Sequence, residues 1–228
     1  MVITVVLAVV SVVSTAVAIR CSLRGRAAAP SEGVPAEVEA RPAQISPHFT
    51  YNALNTIAEL IRSEPAEARE LLQDFADFTR YSSRTSGRLT SLAEELQNVD
   101  RYLTIAGAVH RGQLGVQLKI APEVLAVVLP FLILQPLVEN AVTHGVRPKP
   151  GGGTVRVTAV DAGTEVMVSV EDDGVGMDPT RLADLRDGGR TGLTTVDERM
   201  RAAFGPGYAL VVETAEGAGT KVTLRFPK

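Results

Sequence analysis

Asn140 and His144 are the residues whose types and spacing first suggest chemistry in this sequence. They lie in the segment Leu134–Gly145, whose apolar residues recur at helical spacing and predict a buried face. Residues four apart share a helical face, one turn from each other, and Gly145 is expected to end the helix. An amide oxygen is a hard ligand that suits Mg²⁺, and an imidazole can donate to phosphate. The alternative is an ordinary amphipathic helix whose polar residues face water.

Asp172, Gly174 and Gly176 form a second candidate group, because they follow directly on the predicted strand Val166–Val170. Two glycines so close together let the backbone approach a ligand. A carboxylate at the end of a strand can accept a hydrogen bond from an exocyclic amine. The same stretch is also compatible with a plain Asp-Gly turn.

Two more glycine-rich stretches lie in the same half of the chain. Asp187–Leu193 opens the predicted helix Leu193–Phe204, and glycine-rich turns before helix N-termini bind phosphates. Gly217–Thr220 precedes the last predicted strand. Taken alone, the first is equally a helix-entry loop and the second a hairpin turn.

His48 is a candidate nucleophile near the start of the chain. Ser46 is a good N-cap and Pro47 a good first helical residue, so His48 is predicted in the first turn of a helix. Asn52 and Asn55 share its polar stripe. The positive end of the helix dipole disfavours imidazolium and favours an added anionic group, as a phosphorylatable histidine requires. The alternative is an inert surface histidine.

Further helices are predicted around His48. Glu67–Tyr81 and Leu92–Ala106 carry apolar residues in helical register, separated by the polar stretch Ser82–Arg88. Helices this short and apolar need a partner surface. Pairing with the same element of a second chain would bury it in a bundle.

The second half of the chain changes to the alternation that is typical of strands. The predicted fold is α+β: a helical region at residues 43–111, followed by an α/β sandwich at residues 112–228 whose mixed or antiparallel sheet has one covered face. The predicted strands are Leu114–Ile120, Thr154–Val160, Glu165–Val170, Tyr208–Glu213 and Lys221–Phe226.

Residues 1–23 are predicted to form a transmembrane anchor. Val2–Ile19 is uncharged and just long enough to span a thin bilayer core, and three arginines follow it. The positive-inside rule then places the bulk of the chain in the cytoplasm, as a single-pass protein of the cell membrane. A cleaved signal peptide ending at Ala16–Ala18 is the alternative, but no basic residue precedes the apolar run.

Composition excludes some classes of protein. The formal net charge is −3 and gives no sign of nucleic-acid binding. The single cysteine, Cys21, excludes an internal disulfide framework; palmitoylation is open to it, although an unmodified thiol is favoured. Residues 24–42, rich in Ala, Pro, Gly and Glu, have no apolar period and are predicted to be a linker.

Taken together and in order, these stretches resemble a known family. The matching motifs are Asn140-x-x-x-His144, Asp172-x-Gly174-x-Gly176, Gly192-Leu193 and Gly219-Thr220, which resemble the N, G1 and G2 boxes and the closing Gly-Thr strand of the GHKL ATPase superfamily. Upstream, Pro47-His48-Phe49 with Asn52 and Asn55 is similar to the phosphoacceptor box of LytS-type sensor histidine kinases, and Leu89–Leu103 to that family's second conserved block. The similarity covers residues 43–228.

The resemblance implies ATP and Mg²⁺ as cofactors. It implies that Asn140 ligates Mg²⁺, that His144 contacts the triphosphate, and that Asp172 binds the adenine amine with Thr220 helping through water. Gly174 and Gly176 would shape the adenine pocket. The lid and phosphate-binding turn would comprise Gly188, Gly189, Arg190, Gly192 and Leu193. Arg190 replaces the usual middle glycine of the lid, which implies either a phosphate contact or weakened nucleotide binding.

The function implied is that of a two-component sensor histidine kinase, in which His48 takes the γ-phosphate and passes it to an aspartate of a response regulator. A homodimer through Ser46–Ala106 is expected, with the nucleotide domain moving about a hinge at Gly107–Gln113. Superfamily members that hydrolyse ATP carry a glutamate where this chain has Pro136, which favours transfer over hydrolysis. Phe49 stands where other histidine kinases carry an acid, so the base for His48 is open. The alternatives are an anti-sigma-type Ser/Thr protein kinase and a non-catalytic membrane scaffold.

Overall fold

The computed structural model describes residues 46–83, 89–178 and 192–228. The helices are α1 Pro47–Ser63, α2 Pro65–Ser82, α3 Leu92–Val109, α4 Leu134–Asn140 and α5 Gly192–Phe204, with a 3₁₀ turn at Pro122–Val124 and a π-helix at Ala141–Val146. The strands are β1 Leu89–Ser91, β2 Leu114–Ile120, β3 Val128–Pro130, β4 Gly153–Asp161, β5 Glu165–Asp172, β6 Val211–Ala215 and β7 Gly219–Pro227.

The predicted anchor and linker lie outside these described residues. Within the part of the chain that is described, no helix is both long enough and apolar enough to span a bilayer.

The first three helices begin where the sequence favours a helix start. Pro47 and Pro65 each occupy a first helical position, where the missing N–H costs nothing. Ser46 precedes α1, and its carbonyl accepts from the Thr50 amide at 3.1 Å. The Ser91 hydroxyl caps α3 by accepting from the Glu94 amide at 3.3 Å. The predicted helices of this region are therefore present, with ends moved by a few residues.

The main sheet has the order β2-β4-β5-β7-β6, in which β2 and β4 are parallel and the other pairs antiparallel. Its inward positions, such as Val157, Val168 and Leu224, are almost fully buried, whereas Arg156 and Glu171 pair on the outer face. The predicted mixed sheet is thus confirmed, and one of its faces is covered at β4, β5 and β7, whereas Val116 and Leu118 of β2 are exposed.

The last hairpin begins later than the alternation predicted. β6 starts at Val211, because the preceding Leu210 amide donates to the Asp197 carboxylate of α5 at 2.7 Å and so belongs to the connection. A small antiparallel pair of β1 with β3 was not predicted. It lies beside the N-termini of α3 and α4, where it fixes the turn between β3 and α4.

One hydrophobic cluster runs through the described residues from α1 to β7. It includes Ile57 and Phe78 of the helical hairpin, Leu103 of α3, Leu134 of α4 and Leu224 of the sheet. The predicted domain boundary at residues 111 and 112 therefore falls in a turn between α3 and β2, while the core is continuous across it. Part of the partner surface that the helices need is supplied by their own chain.

Candidate functional site

The helix that carries Asn140 does not end at Gly145, contrary to the sequence prediction. After α4 the chain continues as a π-helix through Gly145, with the Arg147 amide bonded to the Val142 carbonyl at 2.9 Å. π-Helical turns are rare in proteins as a whole, but many of those that occur lie at functional sites. The apolar period could not show this, because it indicates only that a helical face is buried.

Gly145 is required by its contact with Asp172. A Cβ at this position would lie 2.3 Å from Asp172 Oδ1, which no side chain tolerates. The π-helical turn thus brings bare backbone against a carboxylate at the end of β5. A packing role of this kind for Gly145 was missed in the sequence, where the residue only indicated a helix end.

Asp172 is buried, with 4% of its surface exposed. Its Oδ1 accepts from the Gly174 amide at 2.9 Å. Burial raises the pKa of this carboxyl to about 6, against the opposing effect of the Gly174 and Thr220 amides. The neighbouring Asp173 differs, because its Oδ1 accepts from the Thr154 amide at 2.8 Å and pairs with Lys149 at 3.2 Å. Of the two adjacent carboxylates, Asp173 is therefore used in contacts with Thr154 and Lys149, and Asp172 is the buried one that belongs to the candidate site.

Gly174 and Gly176 permit close approach between segments of backbone. A Cβ on Gly174 would lie 2.1 Å from the Gly145 carbonyl carbon, and the Val175 amide donates to the Gly145 carbonyl at 3.0 Å. Gly176 has φ 61°, and a Cβ there would meet the Ala215 carbonyl oxygen at 2.0 Å. The glycines expected to shape a pocket thus bring the end of the π-helix and the β6–β7 turn together around Asp172.

Thr220 lies beside Asp172 in the register of β5 and β7, and Thr214 orients it. The Thr214 hydroxyl donates to the Gly219 carbonyl at 3.0 Å and accepts from the Met177 amide at 3.1 Å. The Thr220 hydroxyl, 3.1 Å from that of Thr214, must then be the donor between the two. Among the described residues, no group donates to the Thr220 hydroxyl in turn. Thr214 was missed, since only the β6–β7 register reveals it.

Asn140 and Gly192 meet at the N-terminus of α5. A Cβ on Gly192 would lie 3.2 Å from Asn140 Nδ2 and 3.6 Å from Pro136 Cβ. The side-chain amide is half-buried, whereas His144 on the following turn is exposed. Leu193 packs at the edge of the hydrophobic core. Gly188, Gly189 and Arg190 lie outside the described residues.

His48 is exposed in the first turn of α1, as predicted. Its Nδ1 lies 3.2 Å from the Asn52 side-chain nitrogen one turn later. Phe49 points the other way and packs against Phe78 and Tyr102, with ring centroids 5.7 and 4.9 Å apart. The residue after His48 therefore anchors the first turn and leaves the imidazole at the surface.

The described part of the site pairs a buried carboxylate and a hydroxyl with a side-chain amide beside the N-terminus of α5. The first two suit a base that presents an exocyclic amine, and the other two suit phosphate and a hard cation. Among the described residues, no group of three or more His, Cys, Asp and Glu side chains forms a metal site. A cation here would depend on the amide and on phosphate oxygens.

Two family models match the chain. The model described as histidine kinase matches residues 36–113, and the model described as histidine kinase-, DNA gyrase B-, and HSP90-like ATPase matches residues 127–228.

Curated relatives match across both regions. The sensor histidine kinase BtsS of Escherichia coli is 34% identical over 192 residues, which cover 84% of this chain and 33% of that protein. The sensor protein LytS of Bacillus subtilis is 30% identical over 200 residues, covering 84% of this chain and 34% of that protein. The chain therefore spans about a third of the length of these relatives.

A solved structure also resembles the fold. The histidine kinase domain of the blue-light activated histidine kinase EL346 from Erythrobacter litoralis superposes with a TM-score of 0.47 at 14% identity. The match covers 79% of this chain and 92% of that domain.

Proposed function

This chain belongs to the sensor histidine kinase family, which includes its relative LytS. We therefore propose that it is the kinase of a two-component system. It phosphorylates His48 with ATP and passes the phosphoryl group to an aspartate of a response regulator. The observation that carries the proposal is the presence, on one chain, of an exposed first-turn imidazole and of the buried carboxylate of Asp172.

The nucleotide's base binds at Asp172. An ionised carboxylate accepts a hydrogen bond from the exocyclic amine of adenine, and the Thr220 hydroxyl, to which no described residue donates, can accept from a bridging water. Gly145, Gly174 and Gly176 keep the backbone close enough to form the pocket floor. A base that presents a carbonyl in place of the amine would face the Asp172 carboxylate with a second acceptor, so the site selects adenine.

The triphosphate lies at Asn140 and at the N-terminus of α5. Amides at a helix N-terminus bind phosphate oxygens, and the exposed His144 is one turn beyond Asn140. Asn140 fits as a ligand of Mg²⁺, because the described residues offer an amide oxygen and no carboxylate cage, and Mg²⁺ keeps phosphate and water ligands. Bound there, Mg²⁺ would supply charge neutralisation for the phosphates.

Transfer forms a bond between an imidazole nitrogen of His48 and the γ-phosphorus, and breaks the bond from that phosphorus to the bridging oxygen of ADP. The Asn52 side chain occupies the Nδ1 side, which leaves Nε2 free to face the phosphate. With its amide turned so that Oδ1 faces the ring, Asn52 accepts the Nδ1 proton and Nε2 keeps its lone pair. Asn52 thereby selects both the nitrogen and the tautomer that attack.

The active form is a homodimer through the helices. Tyr51, Leu54, Ala58 and Ile61 lie on α1 at the alternating spacing of three and four that is typical of helix pairing, and all are exposed. Tyr51 is 70% and Ile61 59% exposed. A second copy of the same helix covers such a stripe, whereas water does not solvate it well. The apolar run Val2–Ile19 serves as the membrane anchor, with the catalytic domains in the cytoplasm.

The test is incubation of the full chain in detergent with γ-labelled ATP. Phosphohistidine is acid-labile, so the label should be lost in acid. His48→Gln should abolish labelling, whereas the matched control His110→Gln, at the end of α3, should label like the wild type. Acid-stable label would favour a Ser/Thr kinase, and the absence of both label and ATP binding would favour a scaffold.

A further inference from the structure

Glu95 is a carboxylate buried where the chain has no obvious need for one. It lies in the first turn of α3 with 1% of its surface exposed, and its side chain enters the turn between β3 and α4. Oε2 accepts from the Ile133 and Leu134 amides at 2.8 and 3.0 Å. Oε1 accepts from the Leu132 amide at 2.7 Å and from the Tyr81 hydroxyl, also at 2.7 Å. Three successive amides at the start of α4 thus converge on one carboxylate.

Arg199 holds the same turn from the other side. It lies on α5, and its guanidinium donates to the Leu132 carbonyl at 3.3 Å and to the Phe131 carbonyl. Leu132 has φ 56°, a left-handed conformation that a leucine adopts only when its surroundings impose it. The N–H groups of the turn are therefore held by α3 and its carbonyls by α5.

The donors around Glu95 favour its ionised form. Burial raises the pKa of this carboxyl, and its four donors oppose that effect. Three of the donors are backbone N–H groups, which cannot accept a hydrogen bond from a protonated carboxyl. Arg199 faces the same turn, and the nearby Glu95 charge favours its guanidinium form against the burial that lowers its pKa.

A second set of buried contacts continues along α4. The Gln135 side-chain oxygen accepts from Asn98 at 2.7 Å and from Ser82 at 3.0 Å, on α3 and at the end of α2. Its nitrogen donates to Glu139 at 2.7 Å, the residue before Asn140. The start of the short helix α4 is thus bonded to the helical region, and Gln135 extends this network one turn along the helix to Glu139, beside Asn140.

We propose that Glu95 and Arg199 are positioning residues for phosphoryl transfer, which together fix the helix that carries Asn140 relative to the N-terminus of α5. Asn140 and Gly192 flank the phosphate site, and Gly192 begins the helix that carries Arg199. The contacts of Glu95 and those of Arg199 with the turn before α4 act as two clamps on that turn. Removing either clamp lets α4 rotate or slide against α5, while the adenine pocket around Asp172 is unchanged. The inference rests on the proposed kinase function and adds two residues to its machinery.

The expected signature is a loss of rate without an equal loss of affinity. Misplacing Asn140 harms the aligned transition state more than it harms binding, since binding also uses the adenine contacts. In the full chain, Glu95→Gln should lower the autophosphorylation rate at saturating ATP by about tenfold or more, ~1.4 kcal/mol in barrier. The dissociation constant of a non-hydrolysable ATP analogue should change by less than about threefold.

Val166→Ala is the matched control, because it removes fully buried atoms from the far end of β5 and touches neither clamp. It should lower stability and leave the saturated rate unchanged. Arg199→Lys keeps the charge but replaces the two guanidinium nitrogens that bond the two carbonyls by a single ammonium nitrogen, so it should repeat the rate loss. It decides the question alone where Glu95→Gln does not fold. A rate loss no greater than that of the control, or one matched by lost affinity, overturns the inference. A wild-type chain that binds ATP without labelling His48 overturns the proposed function instead, and the inference with it.

Discussion

Replacing Asp172 by asparagine should separate the contribution of this carboxylate to nucleotide binding from the folding stability that its burial costs. In the folded chain its pKa rises from 3.8 to about 6 because the group is buried. Ionisation therefore costs the folded state stability above pH 6, and the cost disappears below pH 3.8, where the carboxyl is protonated in both folded and unfolded chains. A difference of roughly two pH units corresponds to ~3 kcal/mol. An amide keeps only part of the hydrogen bonding from Gly174 and Thr220, so we expect Asp172→Asn to gain about 1–2 kcal/mol of unfolding free energy at pH 7.5.

The same change should weaken ATP binding. A charge-assisted hydrogen bond to the adenine amine is lost, which is worth on the order of 1.5–3 kcal/mol, and the amide nitrogen can face the amine wrongly. The expected loss of affinity is about tenfold to a hundredfold or somewhat more. Asparagine at this position should therefore give a more stable protein that binds its nucleotide poorly.

The pH dependence gives an independent measure. With a pKa of about 6, the Asp172 carboxyl is about nine tenths ionised at pH 7 and about one tenth ionised at pH 5. Affinity for an ATP analogue, measured by calorimetry, should fall about tenfold between these values in the wild type beyond any change in the Asp172→Asn variant. A variant that is less stable, yet binds the analogue like the wild type with the same pH profile, would refute this role and make Asp172 a structural residue.

Four other substitutions test the geometry. Gly145→Ala places a methyl group 2.3 Å from Asp172 Oδ1, so it should cost about 1–3 kcal/mol of stability in thermal unfolding and abolish ATP-analogue binding. Ile61→Glu puts a charge into the exposed stripe of α1 and should convert dimers to monomers in light scattering; an unchanged dimer would place the interface elsewhere. Gly112→Ala, at φ 79°, should lower stability by about 1 kcal/mol, whereas Gly107→Ala meets nothing within 4 Å and should raise stability slightly by helix propensity. If Gly107–Gln113 is the hinge predicted from the sequence, both should also slow autophosphorylation at saturating ATP.

The sequence was most informative where a local rule decides the structure. Pro47 after Ser46 places His48 in a first helical turn, and alternation identifies β4, β5 and β7 with their covered face. Asp172 could be found because it follows an obvious strand and precedes two glycines.

Features that depend on contacts between distant residues could not be found in this way. Glu95 is the clearest case, since a glutamate in the first turn of a helix usually favours the dipole from the solvent side. Only the fold reveals that three backbone amides in the turn before α4 donate to the Glu95 carboxylate. Gly145 and Thr214 were missed for the same reason, because their roles depend on how β5 and β7 meet the π-helix and β6.

The contacts of Glu95 also restrict which parts of the chain can move during the proposed phosphoryl transfer. A hinge at Gly107–Gln113 would turn the sheet and α4 against α3, yet α3 holds the start of α4 through the three amides that donate to Glu95 and through Asn98. Breaking that set would leave a carboxylate and several amides buried without partners, at a cost of several kcal/mol. Local flexibility at the glycines is therefore not enough for the motion. Because Tyr81 and Ser82 tie the end of α2 to α3 and α4, displacement of His48 toward the γ-phosphate must come from α1, where the contacts to α3 include the packing of Phe49 on Tyr102.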